Sequence, residues 1–245
     1  FRGALNQTHG IPLAAHVLKE AVARAGVESN EVEDIVLGCG LPQGATGHNI
    51  GRTAALEAGF DVPGVTVNRY CGSGLTAASM IASRIATGEI ACGIAGGVES
   101  ISLVQMGIAV DGFFYAPLQA RMPAVWWTMN ETADFVAKKY GISREALDQY
   151  VVGSQQRVEA ARAAGKFAEE ITPFKAVMKV VDKATGQSRE QDVTLDHDEG
   201  PRADTTIEGL ANLKPVFDGG TTTAGNASQL SDGAGAAVLM DADLA

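Results

Sequence analysis

The chain has 245 residues, 46% hydrophobic and 20% charged, enough apolar material for one or two globular domains and too much for a disordered segment. A formal net charge of −10 argues against a nucleic-acid partner, whose binding needs clustered Lys and Arg to displace phosphate counterions. Three cysteines, at 39, 71 and 92, are too few and odd in number for a disulfide framework. No apolar run approaches the roughly 18 residues of a membrane-spanning helix, and the opening FRGALNQTHG lacks a secretion-signal layout. The expectation is a soluble cytoplasmic protein with reduced thiols and no membrane partner.

Residues 12 to 26, PLAAHVLKEAVARAG, put Leu13, Val17, Leu18, Ala21, Val22 and Ala25 on one helical stripe, with Gly26 where a helix would end. The short β-branched run Ile35, Val36, Leu37, closed by glycine, predicts a strand buried on both faces. NIGRTAALEAG at 49 to 59 reads as a second helix, and VTVN at 65 to 68 as a second strand. CGSGLTAASMIASRIATGE predicts a third helix with Leu75, Ala78, Ile81, Ala82 and Ile85 as its apolar stripe, and IACGIAGGVES another buried strand. This alternation predicts a parallel sheet, with strand, Cys71 turn, helix and strand forming one β-α-β unit. The 29 glycines predict tight turns and close backbone approaches.

From about residue 120 the texture changes. Aromatic residues cluster in AVWWTMN, amphipathic helices are predicted at 131 to 140 and 144 to 164, and 12 of the 19 basic residues lie between Arg121 and Arg202. An anionic ligand should prefer this segment. TTTAGNASQLSDGAGAAVLM then returns to small residues and a buried strand. Residues 120–229 are therefore read as an insertion between a first domain, 1–119, and its last strand, 230–245.

Cys71 follows a strand and opens a helix, where backbone N–H groups and the positive end of the helix dipole stabilise a thiolate. Gly72 and Gly74 leave the backbone bare enough for a substrate to approach. On these grounds alone, inert packing is the commoner role for such a cysteine. The whole string VNRYCGSGLTAASMIASRIATGEIACGIAGGVESIS, residues 67 to 102, resembles the active-site segment of the thiolase family. FRGAL at 1 to 5, MNETADFVAKKYGIS at 129 to 143 and LKPVFDGGTTTAGNASQLSDGAGAAVLM at 213 to 240 resemble further family segments, in family order.

The resemblance implies a thiolase-like α/β fold: an amino-terminal domain with a mixed sheet between helices, interrupted by a loop domain that binds coenzyme A. It implies acyl-CoA:acetyl-CoA C-acyltransferase chemistry, as thiolytic cleavage of a 3-ketoacyl-CoA or Claisen condensation of two acyl-CoAs. Coenzyme A thioesters are then the substrates, with no cofactor or metal, and the assembly is a homodimer or homotetramer. Cys71 would be the acylated nucleophile and its own N–H one oxyanion-hole donor. Met129 would line the acyl pocket, Arg202 would sit beside the nucleotide end of coenzyme A, and Ala224 and Ser228 would lie along its pantetheine arm. By their chemistry alone, Met129 is equally core filler, Arg202 a solvated charge and Ser228 a cap.

The same resemblance implies a second half carrying an asparagine loop, a Gly-His-Pro histidine and a Cys-x-Gly cysteine. None of these motifs occurs in this sequence, so these residues alone are expected to be inactive. The alternative is a truncated, noncatalytic module that binds coenzyme A. Decarboxylating condensing enzymes share the implied fold and cysteine, but NRYCGSGL favours thiolase. Thr128 precedes Met129 where acetoacetyl-restricted members commonly have histidine, which leans toward a broader or degradative enzyme. Cys39 and Cys92 read as small buried hydrophobes, the histidines as no metal site, and Trp126 and Trp127 as braces. VTVN corresponds to a family strand that pairs with its copy across a two-fold axis.

Overall fold

The computed structural model describes residues 2–245; Phe1 of the FRGAL segment lies outside the described residues. In chain order the main elements are α1 (Gly10–Ala25), β1 (Asp34–Gly38), α2 (Ile50–Ala58), β2 (Gly64–Val67), α3 (Ser73–Ala86), β3 (Cys92–Glu99), α4 (Ile101–Val104), α5 (Ala116–Arg121), α6 (Met129–Tyr140), α7 (Arg144–Ala163), β4 (Phe174–Val181), β5 (Ser188–Leu195), α8 (Ile207–Ala211) and β6 (Gly233–Met240). None of these helices is long and apolar enough to cross a membrane.

The chain divides into two compact units: Phe1–Ile108 with Thr172–His197 and Leu230–Ala245, and Ala109–Ile171 with Asp198–Gln229. The segment 120–229, read from the sequence as one insertion, is thus shared between them, because a hairpin inside it packs on the first unit's core.

That first unit is built on a four-stranded sheet of order β2-β1-β3-β6. β2, β1 and β3 are parallel, whereas β6 runs antiparallel to β3, from Glu99↔Gly233 to Cys92↔Met240. The sheet is therefore mixed, as the resemblance implies, rather than wholly parallel, as the alternation of strands and helices predicts. The chain re-enters it at the end where β3 leaves, so β6 returns beside β3 without a crossover connection. As an edge strand β6 is only partly buried.

Strand residues alternate between two apolar layers, as the period of 2 requires. Ile35, Leu37, Cys92 and Ile94 face one cluster, with Leu18 of α1 and Ile50 of α2. Val36 and Ala95 face the other, with Ala77 and Ile81 of α3. Helices thus cover both faces of the sheet, and each fully buried Ile or Leu contributes about 1.5–3 kcal/mol.

The helix ends follow local chemistry. His9 Nδ1 accepts from Ile11 N–H at the start of α1, and Gly26, at φ 70°, closes it in the left-handed conformation. The buried stripe of α1 takes in Ala14 and Ala15 and leaves Ala25 exposed. In α3 the expected stripe is corrected: Leu75 is 80% exposed, while Ala77 and Ile81 are buried. Leu75 lies two residues, about 200° round the helix, from Ala77, so docking α3 through its small residues turns Leu75 outward.

The β4–β5 hairpin was not foreseen. Its register runs Phe174↔Leu195 to Val181↔Ser188, and Phe174, Ala176 and Leu195 pack on the α1-side cluster. His16 bonds Thr172 Oγ1 at 3.1 Å and meets the Phe174 ring edge-on at 5.2 Å. Asn6 pairs with the backbone of Lys179 through both its amide oxygen and its amide nitrogen.

In the second unit, Trp126 packs against Phe113 and Phe114 at 5.3 and 5.5 Å, and Trp127 against Phe135 at 5.3 Å. Both tryptophans brace that unit, as expected.

Candidate active site

Cys71 sits between β2 and α3, one residue before the N-cap, Gly72, and its side chain is exposed, whereas Cys39 and Cys92 are buried. The turn that delivers it is held from both sides. Asn68 Oδ1 accepts from Tyr70 N–H at 2.8 Å, an Asx-type contact. Ser73 Oγ accepts from Arg69 N–H at 2.8 Å and donates to the Tyr70 carbonyl at 2.6 Å. Between them Tyr70 adopts φ 48°, a left-handed conformation that costs a non-glycine residue about 1–3 kcal/mol and persists only where its surroundings impose it.

The N-terminus of α3 is seated directly on the sheet. A Cβ on Gly38, the last residue of β1, would lie 2.5 Å from the Ser73 carbonyl carbon and 2.6 Å from Gly74 N, so only glycine allows this approach. The result is a cleft of about 320 Å³ opening over Cys71. Five glycines line it, Gly38, Gly74, Gly97, Gly233 and Gly235, together with Tyr70, Cys71, Ser73, Val98, Glu99 and Ala234.

The one carboxylate among the cleft-lining residues is Glu99, at the end of β3. It accepts a short hydrogen bond from Gly40 N–H, and Cys39 Sγ lies 3.9 Å from its other oxygen. Burial pushes the Glu99 carboxyl up, opposed by hydrogen bonds from the Gly40 and Leu41 N–H groups and the Cys39 thiol. Burial, with the Glu99 charge second, pushes the Cys39 thiol to about 11. Cys39 is buried, in agreement with the sequence reading.

The other anticipated residues belong to the second unit. Met129 is the first residue of α6 and 71% exposed, so it is not core filler of this unit. Thr128 before it is the helix cap: it accepts from Glu131 N–H at 3.2 Å and its own N–H donates to Glu131 at 2.7 Å. A local structural duty therefore accounts for threonine at that position. Arg202 has an exposed side chain, and its N–H donates to Gln155 Oε1 of α7 at 2.9 Å. Ala224 and Ser228 are exposed along the loop before β6. Gln229, beside Ser228, donates to the Gly200 carbonyl at 2.6 Å, which brings the Arg202 and Ser228 segments together.

The loop carrying Ala224 is fixed from beneath by residues the sequence reading did not single out. Asp134 Oδ1 of α6 receives the N–H and hydroxyl of both Thr221 and Thr222, at 2.7–3.1 Å. Asn226 donates to Asp148 of α7 at 3.0 Å, and Asp148 pairs with Arg144 at 2.7 Å. Asn68, Ser73 and Glu99 were likewise missed. Of these, Asn68 and Ser73 bond backbone groups within four residues along the chain, a local signal, whereas Glu99 does not.

Residues 1–243 match the family model described as the thiolase N-terminal domain. Over its whole length the chain is 39% identical to a 3-ketoacyl-CoA thiolase of Bacillus subtilis, covering 63% of that protein. It is 42% identical to the peroxisomal 3-ketoacyl-CoA thiolase 1 of Arabidopsis thaliana, covering 55% of it. Over 99% of its length it is 40% identical to an acetyl-CoA acetyltransferase of Cupriavidus necator, covering 63% of that protein. The chain spans about three fifths of the length of these relatives.

Proposed function

The chain belongs to the thiolase family, in whose amino-terminal domain it falls, and on that premise we propose that Cys71 carries an acyl group between coenzyme A thioesters. The observation that carries this reading is the placement of Cys71: the exposed thiol of the three, at the N-terminus of α3, in a glycine-rich cleft.

In thiolysis the Cys71 thiolate attacks the C3 carbonyl of a 3-ketoacyl-CoA, forming an S–C bond. The C2–C3 bond then breaks, and its electron pair takes a proton to release acetyl-CoA. The thiol of a second coenzyme A attacks the acyl-cysteine, its proton passes to a base, and Cys71 leaves as thiolate. Condensation runs the same bonds in reverse. The acyl-cysteine is a thioester like the one formed with coenzyme A, so transfer of the acyl group between the two sulfurs exchanges like for like, and no cofactor is required. The backbone N–H of Cys71 would serve as one donor to the developing oxyanion.

Met129 would contact the acyl chain, Arg202 the nucleotide end of coenzyme A, and Ala224 and Ser228 its pantetheine arm. The proton-transfer groups would come from outside these residues, which alone would turn nothing over. The assembly would be a homodimer or homotetramer, and the thiols suit a reducing compartment such as the cytoplasm.

In the full-length protein, Cys71→Ser should lower acyl exchange between acetyl-CoA and coenzyme A by about 10³-fold or more, the scale on which loss of a nucleophile is felt. Coenzyme A binding should stay nearly normal. Turnover by Cys71→Ser at the wild-type rate would refute the assignment.

A further inference from the structure

Glu99 has no role in the acyl-transfer scheme, yet it is a half-buried carboxylate in the wall of the Cys71 cleft. A carboxylate is costly to hold there unless its hydrogen bonds are needed. They lead in one direction. Glu99 Oε1 accepts from Gly40 N–H. The Gly40 carbonyl accepts from Asn68 Nδ2 at 3.3 Å. Asn68 Oδ1 accepts from Tyr70 N–H at 2.8 Å. Tyr70, at φ 48°, is the residue before Cys71.

Gly40 is enclosed in this path: a Cβ there would lie 3.0 Å from Glu99 Oε1 and 3.6 Å from the Tyr70 carbonyl oxygen. Glu99 is anchored on the far side as well, by Cys39, whose thiol donates weakly to its other oxygen. The left-handed turn at Tyr70 is unfavourable by itself and must be held by its neighbours. Ser73 holds its C-terminal side. The path from Glu99 holds its N-terminal side and ties it to the end of β3, a rigid strand.

We propose that Glu99 is a positioning residue for Cys71, acting through Gly40 and Asn68 to hold the turn that aims the thiol into the cleft. This rests on the reading of Cys71 as the acylated nucleophile. Glu99 acts on the Cys71 sulfur through the turn, by fixing where it is.

The test uses the full-length protein and two readouts: kcat and KM for acyl exchange with acetyl-CoA and coenzyme A, and the rate at which iodoacetamide alkylates Cys71. Glu99→Ala should lower kcat by about a hundredfold, as expected for a reacting group displaced by about 1 Å, with KM for coenzyme A changed less than about twofold on the same grounds. Alkylation of Cys71 should change rate with it. Glu99→Gln keeps an oxygen to accept from Gly40 N–H and should recover most of the loss. Asn68→Ala should reproduce the Glu99→Ala defect, and the double variant should be no worse than Asn68→Ala, because the path is already cut.

Wild-type kcat in Glu99→Ala would overturn the proposal. So would a Glu99→Gln variant as impaired as the alanine one, or losses that multiply in the double variant. Should Glu99→Ala fail to fold, Glu99→Gln and Asn68→Ala carry the same test. A Cys71→Ser variant that still turns over would instead count against the nucleophile itself, leaving the two failures distinguishable.

Discussion

Asp134 gathers four hydrogen bonds from Thr221 and Thr222 onto one carboxylate oxygen, while its buried Oδ2 has no hydrogen-bond partner among the described residues. Burial alone would push this carboxyl up, but the bonds from Thr222 and Thr221 outweigh it and hold the group below the ordinary carboxylate range. A folded-state pKa below the unfolded one means stability that is complete above the ordinary carboxylate range and lost as pH falls through the folded value. Asp134→Asn should therefore destabilise the protein by about 1–3 kcal/mol at neutral pH, by weakening a charged acceptor and placing an amide N–H where nothing accepts it. Urea midpoints of wild type and variant should converge on acidification; a gap that widened would contradict this account. None of this was readable in the sequence. Cys71 stood out because strand, turn and glycines surround it locally, whereas Asp134 meets its threonines across 87 and 88 residues, a separation no local pattern records. Thr128 shows the converse: capping Glu131 is local, Thr-x-x-Glu stands in the sequence, and the residue drew notice for substrate preference instead.

Among the elements, β2 occupies one end of the sheet and pairs only with β1 among the described residues. It contains neither proline nor lysine, the usual means of keeping an open edge from pairing. An isologous copy would close it and fix the chain entering the Cys71 turn. Val65→Lys tests this with little cost to the fold, because Val65 is 38% exposed whereas Val67 packs against the α3-side cluster. The substitution should weaken dimer association by about tenfold or more, equivalent to about 1.4 kcal/mol, and lower activity at the same concentrations. Sedimentation identical to wild type would show that this edge is not the interface. Most helices and strands around the four-stranded sheet were legible from their apolar patterns, with glycine closing α1 and α2. The hairpin was not. β4 alternates, but mixes Lys175 and Lys179 with apolar residues, β5 is mostly polar, and only the first unit's core makes their alternation meaningful. The direction of β6 was equally hidden, since strand polarity depends on where the chain re-enters the sheet.

For the molecule as a whole, membership of the thiolase family and the geometry around Cys71 both fit the proposed acyl transfer. The sequence supplies a motif, and the structure supplies an exposed thiol in a glycine-rich cleft, with the other two thiols buried. The central claim is covalent, so the decisive measurement is covalent too: full-length protein incubated with acetyl-CoA, quenched in acid, digested, and its cysteine peptides weighed. The account predicts an acetyl group on the peptide containing Cys71 and none on those containing Cys39 or Cys92. Acetylation of Cys39 or Cys92 with Cys71 unmodified would contradict it.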